Sequence, residues 1–168
     1  MKRFLVLFLS LCLVICLSAC GSTATVGTQQ STESSDAEIK AFKIGEEIFI
    51  NTDEGEYKLT ITDVKETAER NEFSEKTPER VIVISYSYEN ISQDDDLFIS
   101  DMNFKAYDKD NNAMDTYPVG VKDPDSISTG RKATGQMAYG LDSSENYVEL
   151  EFYDNYFLDS DCKIILEW

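Results

Sequence analysis

No histidine occurs anywhere in the chain. Without an imidazole there is no Ser-His-Asp triad, no Cys-His dyad and no histidine-ligated zinc. Positive charge is scarce too: 15 lysines and arginines face 32 acidic residues, for a formal net charge of −17. A surface of that sign cannot neutralise phosphates, which excludes nucleic acid as a partner. Beyond residue 17 there is no long apolar run. Cysteine stands at only four positions, three of them among the first 20 of 168 residues, so a disulfide framework is not the source of stability.

What is present begins with an address. Lys2 and Arg3 precede an uncharged run from Phe4 to Leu17. A basic start, an apolar stretch of roughly 7–15 residues and a small-residue cleavage site describe a secretory signal peptide. A permanent span requires about 20 apolar residues. Leu17-Ser18-Ala19-Cys20 resembles the bacterial lipobox, in which the cysteine sulfur receives a diacylglyceryl group and cleavage falls just before it. Each buried methylene contributes ~0.8 kcal/mol, and two acyl chains hold stably where one does not. The expectation is a cleaved leader over residues 1–19 and a partner in the membrane itself, reached through the lipid on Cys20. Loss of Lys2 and Arg3 with that leader takes the charge from −17 to −19. Cys12 and Cys16 leave as well, so Cys162 stands alone, and the apolar residues after it point to a buried structural role.

Residues 20–38 are small, polar and free of aromatics, the composition of a flexible tether with a root-mean-square span of ~23 Å. Residues 39–168 are enough for one packed domain, and they read as strands. Tyr57, Leu59 and Ile61 alternate with polar residues up to Thr62. From Arg80 to Asn90, Ile82, Ile84, Tyr86 and Tyr88 share one face, while Val81 and Val83 add apolar surface to the other, as in a central strand covered on both sides at its start. Met102, Phe104 and Ala106 form the next inward set. An acidic turn, Asp108 to Asn112, then leads to a strand from Ala113 to Tyr117. Met137, Tyr139 and Leu141 follow, then Val148, Leu150 and Phe152, and finally Ile164, Leu166 and Trp168. About eight short strands predict an all-β fold, an antiparallel immunoglobulin-like sandwich. Lys65 to Glu79 is the one stretch with helical charge spacing, and it reads equally well as a charged loop.

The run Ile82-Val83-Ile84-Ser85-Tyr86-Ser87-Tyr88-Glu89-Asn90-Ile91-Ser92, the segment Phe104 to Asp108 with its acidic hairpin, and Ser128-Thr129-Gly130-Arg131 followed by Gly135 to Tyr139 resemble the uncharacterised telokin-like, immunoglobulin-like domains carried by many lipoproteins of Gram-positive bacteria. The likeness covers about residues 40–168. Where that family often has proline before the turn glycine, this chain has Thr129. The resemblance implies the sandwich and an extracytoplasmic, membrane-anchored setting. It implies no catalytic residue.

Candidate chemistry is sparse. Asp108, Asp110 and Asn112 have the spacing of a calcium loop, but Ala113 and Val119 replace the glycine and glutamate such a loop requires. A hairpin turn is the favoured reading, and Ca2+ the one cation worth testing. Asp94-Asp95-Asp96, Asp123 with Asp125, and Asp159 with Asp161 read as separate solvated turns that keep the protein soluble. Ser160-Asp161-Cys162-Lys163 fits S-x-x-K, whose chemistry needs a helix start and further motifs that are missing here. Tyr153, Asn155 and Tyr156 place aromatic rings beside amide and carboxylate groups, which suits a sugar or peptide ligand. The plainer expectation packs Phe157 and Leu158 in the core, with the tyrosines at its rim. Taken together these residues describe a non-enzymatic, lipid-anchored extracellular binding module, its partner an envelope protein or extracellular ligand. A calcium-dependent surface adhesion module and a small cell-envelope hydrolase or inhibitor are the alternatives. A strongly negative domain is also repelled by anionic lipid and wall polymer, within a Debye length of ~8 Å at physiological salt.

Overall fold

A computed structural model describes residues 40–168, so Leu17, Ser18, Ala19 and Cys20, with the whole stretch read as a tether, lie outside the described residues. The described chain forms eight strands: β1 (Ala41–Lys43), β2 (Ile48–Thr52), β3 (Gly55–Thr67), β4 (Arg80–Asn90), β5 (Phe104–Tyr107), β6 (Lys132–Leu141), β7 (Tyr147–Phe152) and β8 (Cys162–Glu167). They make two four-stranded sheets, ordered β1-β8-β7-β5 and β2-β3-β4-β6. The pairings are antiparallel except for β1 on β8, which run parallel. Among the described residues no helix is long and apolar enough to cross a membrane.

Period-two alternation drives the sandwich. Tyr57, Leu59, Ile61, Ile82, Ile84, Tyr86 and Tyr88 point from one sheet, and Val148, Leu150, Phe152, Ile164 and Leu166 from the other, all buried in one core. Fully burying an apolar side chain of this size contributes about 1.5–3 kcal/mol. Phe104 links the sheets, its ring centroid 5.6 Å from that of Tyr86 and 5.3 Å from that of Phe152. Gly135 lies opposite Tyr86 in the ladder, and a Cβ there would fall 2.5 Å from the phenol Cζ. The missing side chain is what lets the ring lie across β6.

Three segments depart from the sequence reading. β3 does not end at Thr62: the register shifts between Ile61 and Asp63, and one extra residue returns Val64 to the core. The bulge hides the strand's second half from a search for strict alternation. Lys65, Glu66 and Thr67 therefore belong to β3, and no helix follows. Glu66 meets Arg80 across the ladder, Oε1 to Nε 2.8 Å, instead of Arg70 at helical spacing. Ala113 to Tyr117 is not a strand. It crosses from the edge of β5, where Met114 N–H donates to Ala106 O at 2.8 Å, to the edge of β6, where Tyr117 N–H donates to Ala138 O at 2.8 Å. A segment split between two sheet edges cannot build a ladder on either. Met102 is likewise exposed, because it sits in a 3-10 turn (Asp101–Asn103) capped by Ser100. The double cover expected at the start of β4 is present: Val81 is buried on the outer face, as are Ala138 and Tyr117.

Asn90, at the end of β4, is fully buried. Its Oδ1 accepts Gln93 N–H at 2.9 Å and its Nδ2 donates to Asp95 O at 3.0 Å. Its backbone N–H donates to Arg131 O at 3.0 Å, and its carbonyl accepts Gly130 N–H at 2.7 Å. One residue thus closes two neighbouring loops, the first through its side-chain amide and the turn at Gly130 through its backbone. Asn90→Ala strands a buried donor and acceptor and is expected to cost about 1–3 kcal/mol, read as a lower urea midpoint with an unchanged slope; a variant within 0.3 kcal/mol (roughly the scatter of independent sites) would contradict this role.

Candidate binding surface

β7 leaves the sheet at Phe152, and the chain returns in β8 at Cys162. The base of the intervening loop is pinched. Asp161 N–H donates to Phe152 O at 2.9 Å, and Asp154 N–H donates to the Asp161 carboxylate at 2.7 Å. From the other sheet the buried Tyr57 hydroxyl donates to Asp154 Oδ1 at 2.6 Å. Burial, with the Asp154 hydrogen bond and charge, pushes the Tyr57 phenol far up, so it stays a donor. Above the pinch Asn155 folds the tip: its Oδ1 accepts Phe157 N–H at 3.0 Å and its carbonyl accepts Leu158 N–H at 3.0 Å.

The tip therefore projects beyond the sheet instead of folding under it. Tyr156 is 56% exposed, Phe157 92% and Leu158 68%. This reverses the expected packing, in which Phe157 and Leu158 filled the core and the tyrosines the rim. Tyr153 is the buried one. Its hydroxyl donates to Glu151 Oε2 at 2.6 Å, and burial together with that bond raises its pKa. Of the three ligand-binding candidates, Asn155 and Tyr156 are exposed, Asn155 also shaping the turn, while Tyr153 is buried and seats it. Lys105 Nζ lies 4.5 Å from the Tyr153 ring centroid and 4.9 Å from that of Tyr156, holding the base of the tip by cation–π contact.

Further apolar side chains gather at the same end. Of the seven large hydrophobic residues exposed among those described, five are Phe98, Met102, Tyr156, Phe157 and Leu158. Met102 adjoins Asn103, whose side chain donates to Tyr153 O at 3.0 Å. Phe98 and Leu158 share a concavity of about 740 Å³ with Asp53, Glu54, Asp96 and Asp154, and no lysine or arginine lines it. Residue 40 enters the fold at this end as well, since Lys163 N–H at the start of β8 donates to Lys40 O at 3.1 Å.

The remaining candidates are occupied by structural work. Asp108 Oδ1 accepts Asp110 N–H at 2.9 Å and Asn112 N–H at 2.8 Å, and its Oδ2 accepts Asn112 Nδ2 at 2.9 Å. Partial burial pushes this carboxyl up, but those donors outweigh it and hold it below the usual range. Asp108, Asp110 and Asn112 thus form a closed turn. Among the described residues no three acidic or cysteine side chains converge as metal ligands. Lys163 of the S-x-x-K stretch lies on a strand, its Nζ 2.6 Å from Glu149 Oε1, so the helical geometry of that motif is missing. Cys162 is buried, and burial, with the charge of Asp161 adding, pushes its thiol up to about 12. A groove of about 550 Å³ on the outer face of β3, β4 and β6 holds Lys58, Lys122 and Lys132. Glu89 already engages Lys58 at 3.2 Å and Lys132 at 3.0 Å.

The two sheets and their connections define an immunoglobulin-like β-sandwich. The fold is similar to the crystal structure of the secreted protein MPT63 from Mycobacterium tuberculosis, with a TM-score of 0.59 at 14% identity, covering 79% of this chain and 99% of that one. It is also similar to the crystal structure of the yjhA protein from Bacillus subtilis, with a TM-score of 0.53 at 19% identity, covering 75% and 98%. No curated protein matches the sequence. The chain belongs to the family described as Domain of unknown function (DUF5067), which matches residues 28–154.

Tyr57→Phe is expected to lower stability by about 0.5–1.5 kcal/mol and to speed hydrogen exchange of the 155–159 amides while the strand amides hold. Uniform acceleration across both sheets would show that the bond does not govern the tip. Iodoacetamide at pH 8 should leave Cys162 unlabelled in the folded protein and label it only after denaturation, read by peptide mass spectrometry; labelling of native protein would contradict a raised thiol pKa.

Proposed function

We propose that the protein is a membrane-anchored extracellular lipoprotein and that its immunoglobulin-like domain is a non-enzymatic binding module that makes contact through the β7–β8 loop. The observation that carries the reading is the exposure of Tyr156, Phe157 and Leu158 on a tip whose base is hydrogen-bonded shut. Water disfavours exposed apolar area of this kind, and patches that persist in a folded domain mark interaction sites. A rigid base lowers the ordering cost of binding. Exposed aromatics are also the residues that anchor protein interfaces.

The anchoring half rests on Leu17-Ser18-Ala19-Cys20, on the resemblance to domains borne by Gram-positive lipoproteins, and on the polar stretch that follows the cysteine. A tether of ~23 Å places such a domain within reach of membrane-bound neighbours. The partner is then an envelope protein or an extracellular polypeptide. The calcium-adhesion alternative loses ground because the Asp108 carboxylate is spent on its own turn.

Two measurements test the halves separately. Cys20→Ser should abolish acylation and either accumulate precursor or release the protein into the medium; unchanged membrane retention with an unchanged mature terminus would defeat the anchor. A photo-crosslinking phenylalanine analogue at Phe157 should give a discrete adduct in living cells, while the same analogue at Asn111 on the distant turn should not. Absence of any adduct at Phe157 would remove the binding role.

A further inference from the structure

The same end of the sandwich carries a protruding apolar tip and an acidic hollow beside it. We infer that this face is built for a polypeptide partner with a cationic rim around an apolar cleft, the cleft receiving Phe157 and Leu158 and the rim facing Asp53, Glu54 and Asp96. The inference rests on the binding-module reading and gives it a partner class.

The charge pattern selects the occupant. Asp53, Glu54 and Asp96 are exposed, and none makes a side-chain ion pair or hydrogen bond with another described residue. Asp154, the fourth carboxylate of the hollow, is already held by Tyr57. Lys105 is stacked against Tyr153 and Tyr156, and among the described residues no lysine or arginine lines the hollow. Three neighbouring carboxylates without counter-ions repel one another, and a cationic partner relieves that repulsion on docking while water leaves Phe98, Phe157 and Leu158. A second copy of this chain brings the same acidic face and is repelled. An anionic bilayer is repelled likewise, although an aromatic tip close to the tether would otherwise suit the membrane interface. Guanidinium or ammonium groups on a polypeptide satisfy both halves of the face.

The test uses the mature full chain, residues 20–168, in mild detergent. The probes are a fluorescein-labelled peptide of alternating Lys-Leu and Leu-Lys pairs, its counterpart with Glu for every Lys, and vesicles of phosphatidylcholine with and without phosphatidylglycerol. Fluorescence anisotropy should show the lysine peptide binding and the glutamate peptide failing to bind. Affinity should fall at least tenfold in the Phe157→Ser/Leu158→Ser variant and at least tenfold in Asp53→Asn/Glu54→Gln/Asp96→Asn. Asp110→Asn/Glu145→Gln, which removes two charges at the opposite end, should leave affinity within twofold. Near-UV circular dichroism confirms that each variant is folded; should the serine pair fail, Phe157→Gln alone carries that arm. Equal binding of both peptides, equal loss in the opposite-end variant, or Phe157-dependent sedimentation with vesicles would overturn the inference. If the lysine peptide fails while the in-cell adduct at Phe157 persists, the cationic partner class falls and the binding module stands. If both fail, both fall.

Discussion

The bond from the Tyr57 hydroxyl to Asp154 spans the two sheets and sets the shape of everything beyond it. Tyr57 belongs to β3 in one sheet, and Asp154 follows β7 in the other. With the carboxylate fixed there, the chain cannot fold Phe157 back over the core, which is already filled at that level by Tyr57, Phe104 and Phe152. A buried phenol needs a partner, and the acceptor available to it is the residue that opens the loop. Core satisfaction and loop projection are therefore one event. The apolar tip is exposed as a consequence of where a polar group in the core finds its acceptor.

A similar economy operates at Asn90. Its side-chain amide and backbone together close the 91–96 loop and the turn at Gly130. The first of these loops delivers Asp96 and Phe98 to the hollow. Two buried polar groups, Tyr57 and Asn90, paired with each other across the β3–β4 ladder, thus position most of the face. Hydrogen-bonded polar groups inside a core are costly to disturb, which makes them reliable supports for a surface that itself contributes little to stability.

The strands were legible wherever alternation was unbroken. Tyr57 to Ile61, Ile82 to Tyr88, Val148 to Phe152 and Ile164 to Leu166 all face inward as their period-two pattern requires. The reading failed where a local device interrupts the pattern: the bulge after Ile61, the cross-sheet passage of Ala113 to Tyr117, and the capped turn that turns Met102 outward. β1 and β2 are short and carry too few alternations to stand out. The loop at Tyr153 to Leu158 was visible as an aromatic cluster, but its orientation was not. Which of Tyr153 and Phe157 is buried depends on a hydrogen bond to a residue 97 positions away, and no local spacing encodes that. The hollow was illegible for the same reason, since Asp53, Asp96 and Asp154 approach one another only in the folded sandwich.

The lone parallel pairing also sets how the domain bears mechanical load. β1 runs beside β8, and the chain enters β1 next to the foot of the β7–β8 loop. Tension applied between residue 40 and Phe157 would be transmitted through β1, β8 and the loop base, a path a few residues long. The second sheet meets that line through the Tyr57–Asp154 bond. Both points lie at the N-terminal ends of the parallel strands, so such a force would peel β1 from β8 starting at Ala41, its inter-strand bonds parting one after another. A pull between those two points would therefore detach the three residues of β1 before it opened the longer ladders of the sandwich.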